Sequence, residues 1–321
     1  MRRDAPRFPG SDRAAESVQP ETRAVVLQGG RVTARLRITP TDATCGAIVT
    51  GVRIASLAEE TWWAVEGAFH RYGVLVFPGQ HLTVGQQTGF ARRFGKIEHL
   101  DEERVATVVP VGDPAVSGAQ TDTDHIAMLL KGNEGWHIDS SYMPLAAKAS
   151  ILSAVVVPSS GGQTEWADMC AAYDSLGDEI RERIAGLSAY HSYFHSQALV
   201  GHEAEVGAGY GFYAGDKPLR PLVKKHPVTG RSALYIGRHA YGIPGLSEAE
   251  SEELLSELEE FACRPPRTFM HDWQAGDAAI WDNRRVLHRA RPYDPDEPRL
   301  LYHTRVAGDP ETELAAGMTP Q

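Results

Sequence analysis

Apolar and polar positions along this chain repeat with two periods, and the period changes element by element. "RVTARLRITP" alternates apolar and polar residues, the pattern of a half-buried strand, and "TCGAIVTGVRI" gives a second short β pattern with Gly at its bends. "LAEETWWAVEGAFHRYG" has helical spacing and predicts an amphipathic helix closed by Gly73. "VLVFPG", residues 74–79, is an apolar run bounded by Pro and Gly, which predicts a buried strand. "TVGQQTGFARRFG" predicts another helix, with Thr83 as N-cap and a stop at Gly95.

From about Lys148 the pattern becomes β-rich. "AKASILSAVVVP" predicts a strand ending at Pro158, and "SSGGQTEWAD" a Gly turn leading into a strand. "MCAAYDSLGDEIRERIAG" reads as helical, and "LVKKHP" and "VTGRSALYIG" as strands around a turn. "SEAESEELLSELEEFACRPP" predicts a helix with Ser247 as N-cap and acids in its first turn. "DAAIWDN" and "RLLYHTRVAG" predict strands separated by the turn-rich "RPYDPDEP". Short strands decorated by helices, with no internal repeat, predict an α+β fold around a β-barrel or sandwich. Residues 1–30, rich in Pro, Arg and small polar residues, predict a flexible N-terminal arm, which leaves 31–321 as a single domain.

Composition narrows the partners. The 321 residues are 42% hydrophobic and 23% charged, the balance of a globular protein with a sizeable core. A net charge of −10 gives no electrostatic reason to expect nucleic acid. No run reaches the roughly 18 apolar residues of a membrane span, and the two N-terminal arginines are not followed by the apolar core of a signal peptide. Cys45, Cys170 and Cys263 are widely spaced and odd in number. They make neither a disulfide framework nor a CxxC site, and they suit a reducing compartment; a cytoplasmic location is the default expectation.

The candidate chemistry begins in "GNEGWHIDSSY". Side chains two apart on an extended segment point the same way, so His137 and Asp139 aim an imidazole and a carboxylate at one point while Trp136 and Ile138 face the other side. A lone His-x-Asp is equally a hydrogen-bonded pair at a strand edge. A third donor, His288 in "AIWDNRRVLHRARPYD", lies 151 residues downstream. Two His and one carboxylate on one face leave coordination positions open, the arrangement of non-haem Fe(II) oxygenases. His191 and His195, at i,i+4 helical spacing, form a rival pair, with a surface or pocket-lining role equally compatible. Arg299 follows His288 by 11 residues across a turn, so a hairpin would carry a guanidinium back beside the metal ligand, where it suits a bidentate grip on a carboxylate. Arg299, Leu301, His303 and Arg305 share one strand face, which collects three basic groups.

These motifs, with "GVLVFPGQ", "FARRFGKIEH", "ILSAVVVPSSGGQTEWADMCAAYDSL" and "RLLYHTRVAGD", resemble in order the TauD/TfdA family of Fe(II)- and 2-oxoglutarate-dependent dioxygenases. The likeness runs from about Thr44 to Asp309 and is nearest to the herbicide-dioxygenase side of the group. The resemblance implies a double-stranded β-helix, a cupin-like jelly-roll core decorated with helices. It implies His137, Asp139 and His288 as iron ligands, Thr164 at the C1 side of 2-oxoglutarate and Arg299 on its far carboxylate. It further implies substrate contacts at Asn133, Trp281, His303 and His99, with Ser140 or Ser141 supporting the ligands from behind. With Fe(II) as cofactor, 2-oxoglutarate and O2 would be consumed with a small anionic organic molecule, whose C–H bond is hydroxylated or then cleaved, releasing succinate and CO2. A homodimer or homotetramer is implied too. One departure stands out: the second Arg that several members carry four residues after the co-substrate Arg is here His303, with Arg305 and Arg238 as possible substitutes. Asp139 stands where related halogenases carry Gly or Ala, which argues against halogenation. Two other readings are a barrel that binds metal or anion without turnover, and a zinc hydrolase.

Overall fold

The computed structural model describes residues 36–98, 109–112, 131–203, 205–207 and 210–319. The arm expected over 1–30, the start of the first expected strand and His99 lie outside the described residues. Strands β1 (Arg37–Pro40), β2 (Ala47–Thr50) and β3 (Val74–Phe77) are interleaved with helices α1 (Glu59–Tyr72) and α2 (Val84–Ala91). There follow β4 (Val109–Gly112), β5 (Ala147–Val156) and β6 (Thr164–Asp168), then α3 (Met169–Asp174), α4 (Asp178–Ile184), β7 (Ser188–His191) and α5 (Tyr193–Ala198). Short strands β8 (Leu219–Pro221), β9 (Val223–Lys225), β10 (Ser232–Leu234) and β11 (Ala240–Tyr241) lead into α6 (Glu248–Ala262). The chain ends with β12 (Thr268–His271), β13 (Ala278–Asp282), β14 (Val286–Ala290), β15 (Leu300–Ala307) and α7 (Pro310–Glu313).

Two sheets face each other. The larger has the order β1-β2-β3-β13-β5-β15-β4, antiparallel except between β2 and β3, and the smaller has the order β12-β6-β14. Alternation along each strand assigns its two faces. Val74 and Val76 of β3, Leu152 and Ala154 of β5, and Ala279 and Trp281 of β13 point between the sheets, where they meet Trp166 and Val286 of the smaller sheet. Their neighbours Leu75, Phe77, Ile151 and Ile280 point outward and are covered by Trp62, Val65 and Phe69 of α1 and Phe90 of α2. Burial of both faces is why "VLVFPG" reads as an unbroken apolar run. Behind the smaller sheet, Ala167 and Leu287 pack against Met169, Leu254 and Leu258 of α3 and α6. This is the expected jelly-roll core with helices outside it.

Local signals placed these elements. Thr83 and Ser247 each close a capping box at the start of α2 and α6. Gly73 ends α1 with φ 72°, its N–H bonded to Phe69 O at 2.8 Å, and a Cβ there would also meet the Arg285 guanidinium. Three expectations are corrected. The helical stretch from Met169 is two helices, interrupted before Gly177, the N-cap of α4. His191 ends β7 while His195 lies in α5, so the two are not on one helix. Finally, β14 and β15 do not form a hairpin, because each finds its hydrogen bonds in a different sheet: β14 pairs with β6, and β15 with β5 and β4. Arg299 therefore lines the same cavity as His288 from the β15 side, with its Nη2 on Gly162 O. No helix among the described residues is long and apolar enough to cross a membrane.

Candidate active site

The inward faces converge on a cavity of about 670 Å³ of atom-free space, its open mouth included. His137 is an isolated bridge residue, not part of a strand, and it exchanges both backbone hydrogen bonds with His288 of β14, at 2.9 and 3.0 Å. That pairing sets the two imidazoles side by side, ring centroids 4.1 Å apart. The expected facing of this segment holds: Trp136 and Ile138 enter the core behind the smaller sheet, and His137 and Asp139 line the cavity. A turn follows at once, with Ser140 at φ 54°. One donor atom each from His137, Asp139 and His288 lies within 4.8 Å of the others.

The donor set is prepared for a cation. The Nδ1–H of His137 donates to Gly135 O at 2.8 Å, which leaves Nε2 with its lone pair free. Burial, only partly offset by Asp139, pushes His137 down to about 4 and pushes His288 down as well. Both imidazoles are neutral at neutral pH, as a ligand must be. Burial opposes the charge of Asp139, but the Arg305 guanidinium and the histidines around it hold the carboxyl well below the ordinary carboxylate range. A second cluster, His70, His226 and Asp282, has comparable spacing. At two of its three members, Asp282 and His226, the ring or carboxylate atoms are already engaged. Arg284 donates to both oxygens of Asp282, at 2.7 and 2.6 Å, and the His226 Nδ1 accepts from the backbone N–H groups of Val228 and Thr229. The first cluster lines the cavity, with donor atoms aimed into it, and suits a metal.

Asp139 is held from two sides. Ser150 Oγ donates to Oδ2 at 2.6 Å, Asn283 Nδ2 donates to Ser150 Oγ at 2.9 Å, and Trp281 Nε1 donates to Asn283 Oδ1 at 3.0 Å. On the other oxygen, Arg305 Nη2 lies 2.8 Å from Oδ1. Ser140 and Ser141 do not support the triad directly. The turn at Ser140 sends its hydroxyl to Glu98 at 2.9 Å, and Ser141 meets the His191 ring at 3.0 Å. Ser150 was the residue missed, and the available signal was two serines interrupting the apolar strand "ASILSAVV". A buried hydroxyl in such a strand needs a partner. Ser150→Ala removes the donor that aims Oδ2, and it is expected to weaken Mn(II) or Fe(II) affinity about 10- to 100-fold with the fold retained, measured by metal titration.

Arg299 stands at the other end. It is only 3% exposed, its Nη2 donates to Gly162 O at 3.2 Å, its Nε has no partner, and no acid pairs with it among the described residues. Burial alone pushes its pKa down, with Tyr293 opposing. A buried, unpaired guanidinium facing a cavity is a receptor for an anion. Thr164 lines the same cavity and pairs with Ala290, two residues beyond His288, so it is offset from the triad toward the Arg299 end by about 7 Å.

The other expected residues divide. Asn133 and Trp281 line the cavity, and the Trp281 ring lies 4.6 Å from that of His288. His303 lines it too, 3.4 Å from Asp139 Oδ2, but burial pushes it down, so it is no substitute for a guanidinium. Arg305 reaches the cavity with one Nη already on Asp139. Arg238 is not a cavity residue: its backbone N–H bonds Trp136 O at 2.8 Å, and its side chain packs against Gly132 and Gly135, propping the segment that carries His137. His195 stacks on Tyr241.

Comparison with known proteins follows the same lines. Residues 37–306 match the family described as "Taurine catabolism dioxygenase TauD, TfdA family". An (S)-phenoxypropionate/alpha-ketoglutarate-dioxygenase of Sphingobium herbicidovorans is 51% identical over 282 residues, covering 87% of this chain and 97% of that protein. An alpha-ketoglutarate-dependent 2,4-dichlorophenoxyacetate dioxygenase of a Burkholderia species is 38% identical over 253 residues, 76% of this chain and 84% of its own length. The crystal structure of AAD-2 in complex with Mn(II) and N-oxalylglycine superposes with a TM-score of 0.76 at 35% identity, over 85% of this chain and 97% of that one.

Proposed function

The chain belongs to the TauD/TfdA family of dioxygenases, and on that premise we propose that its substrate is an aryloxyalkanoate, a carboxylate whose neighbouring carbon carries an aryl ether oxygen. It is an Fe(II)- and 2-oxoglutarate-dependent dioxygenase. The relatives named for phenoxypropionate and 2,4-dichlorophenoxyacetate share that ether carboxylate. When bound, iron and 2-oxoglutarate together with O2 supply the oxidant that puts one oxygen atom into a substrate C–H bond, with succinate and CO2 released.

The residues of this chain divide the remaining tasks. His137, Asp139 and His288 hold the iron, with Ser150 and Arg305 fixing the carboxylate. Arg299 grips the far carboxylate of 2-oxoglutarate. Thr164, offset toward Arg299, joins that grip instead of meeting the C1 end. Val111, Leu152 and Trp281 give an apolar wall for an aryl ring, and Asn133 a polar contact beside it. Hydroxylation at the carbon bearing the ether oxygen gives a hemiketal or hemiacetal, which collapses to a phenol and a 2-oxoacid. Residues 31–321 act as one domain in this reading, in a cytoplasmic homodimer or homotetramer. Three free cysteines support the compartment.

The observation that carries the reading is a buried guanidinium without an acid at one end of a cavity and a neutral-His, ionised-Asp triad at the other. A zinc hydrolase has no use for the former. The test supplies Fe(II), ascorbate and 2-oxoglutarate with (R)- and (S)-2-phenoxypropionate, phenoxyacetate and taurine, and measures succinate and phenol. Equimolar phenol and succinate from an aryloxyalkanoate is expected. Succinate coupled to taurine alone would defeat the substrate assignment.

A further inference from the structure

We propose that Trp273 is a positioning residue for 2-oxoglutarate, acting by fixing the direction in which the Thr164 hydroxyl donates. The inference rests on the reading that 2-oxoglutarate occupies the Arg299 end of the cavity. Trp273 Nε1 lies 3.0 Å from Thr164 Oγ1, and the two residues are 6% and 3% exposed. An indole N–H donates and cannot accept. Thr164 Oγ is therefore the acceptor in this bond, and its single proton must go elsewhere. Among the described residues no protein acceptor takes it, and the hydroxyl lines the cavity. The result is an O–H presented to the ligand space near Arg299, oriented for a carboxylate oxygen. A side chain able to accept at position 273 would allow the opposite arrangement, with Thr164 lone pairs facing the carboxylate.

The surroundings make Trp273 a rigid donor. It packs in the inter-sheet core with Val76 and Ala279, and the His271 ring meets it edge-on at 5.0 Å. His271 Nε2 is bonded to Asp277 Oδ2 at 3.0 Å. The same carboxylate accepts the backbone N–H groups of Gln274, at 3.1 Å, and of Gly79, at 3.0 Å. The turn that follows Trp273 is thus closed by an acid tied to a neighbouring loop. Trp273 itself does not line the cavity.

The test measures N-oxalylglycine binding to Mn(II)-loaded protein by calorimetry. Trp273→Phe keeps an aromatic ring, smaller than the indole, and loses the donor; it is expected to raise Kd roughly five- to tenfold while Mn(II) affinity is unchanged. Thr164→Val should raise Kd at least as much, and adding Trp273→Phe to it should raise Kd no further. Equal weakening by Trp273→Phe in both backgrounds, or a change below twofold in the wild type, overturns the inference. If Trp273→Phe does not fold, the indole N–H signals of Zn(II)-loaded, ¹⁵N-tryptophan-labelled protein decide. One signal should shift on N-oxalylglycine addition in wild type and stay fixed in Thr164→Val. No such signal overturns the inference equally. Wild-type protein that fails to bind N-oxalylglycine would instead remove the co-substrate reading itself.

Discussion

His288→Ala is expected to abolish 2-oxoglutarate-dependent succinate release, and His137→Ala and Asp139→Asn to do the same. The two imidazoles are neutral by burial, and the carboxylate is held ionised by the Arg305 guanidinium. Such a set supplies three donors without first losing a proton, so each contributes fully to binding a divalent ion. Removing one leaves two donors and admits water, and the ordered open positions on which turnover depends are lost. Asn is the informative change at position 139. It keeps the size and one acceptor oxygen, enough for Ser150 or for Arg305 but not both, whereas Ala removes both acceptors; either change takes the counter-charge from the buried Arg305 guanidinium, and breaking such a pair costs about 3–5 kcal/mol of stability. Metal titration, succinate assay and circular dichroism on each variant separate the cases. Folded variants that retain turnover in two of the three positions would remove the triad assignment.

Much of this centre was legible in the sequence because its signals are local. The facing of His137 and Asp139 follows from the two-residue repeat of an extended chain, and a single bridge to His288 is enough to preserve it. Thr83, Ser247 and Gly73 mark helix ends through bonds that close within one turn. What failed depended on partners far away in the chain. A turn between two strands suggests a hairpin, yet "RPYDPDEP" carries the chain from one sheet to the other, a choice made by pairing with β5 and β6, whose partners lie at least 118 residues earlier. The fate of Arg305 was hidden likewise. Its strand face was readable, but its commitment to Asp139 requires a segment 166 residues away, so it looked available to a substrate anion when one Nη is already on the Asp139 carboxylate. Ser150 and Asn283, 133 residues apart, meet only because β5 and β13 pair with Ser150 opposite Trp281.

Arg299→Met should raise the apparent KM for 2-oxoglutarate by about 30-fold to several thousand-fold, while the KM for the aryloxyalkanoate changes by less than about threefold. The range corresponds to 2–5 kcal/mol for truncating one partner of a buried charge pair, at a factor of ten per 1.4 kcal/mol. The split follows from geometry: Arg299 and the triad lie at opposite ends of the cavity, and Arg299 reaches no other acid among the described residues. That isolation also separates function from folding. In the ligand-free protein Arg299 is a cation taken out of water without a counter-charge, which burial alone disfavours. Replacing it with an apolar chain of similar length strands no anion, so the ligand-free variant should melt at the same temperature as wild type or higher. Saturating 2-oxoglutarate should then stabilise wild type, by about 2.7 kcal/mol at one hundred times Kd, and leave the variant unmoved at the same concentration. Arg299→Lys should fall nearer to Met than to wild type, because a compact ammonium cannot make the paired, planar contact of a guanidinium. A KM shift below twofold, or loss of thermal stability before any ligand is added, would mean that Arg299 supports the fold and does not receive the co-substrate.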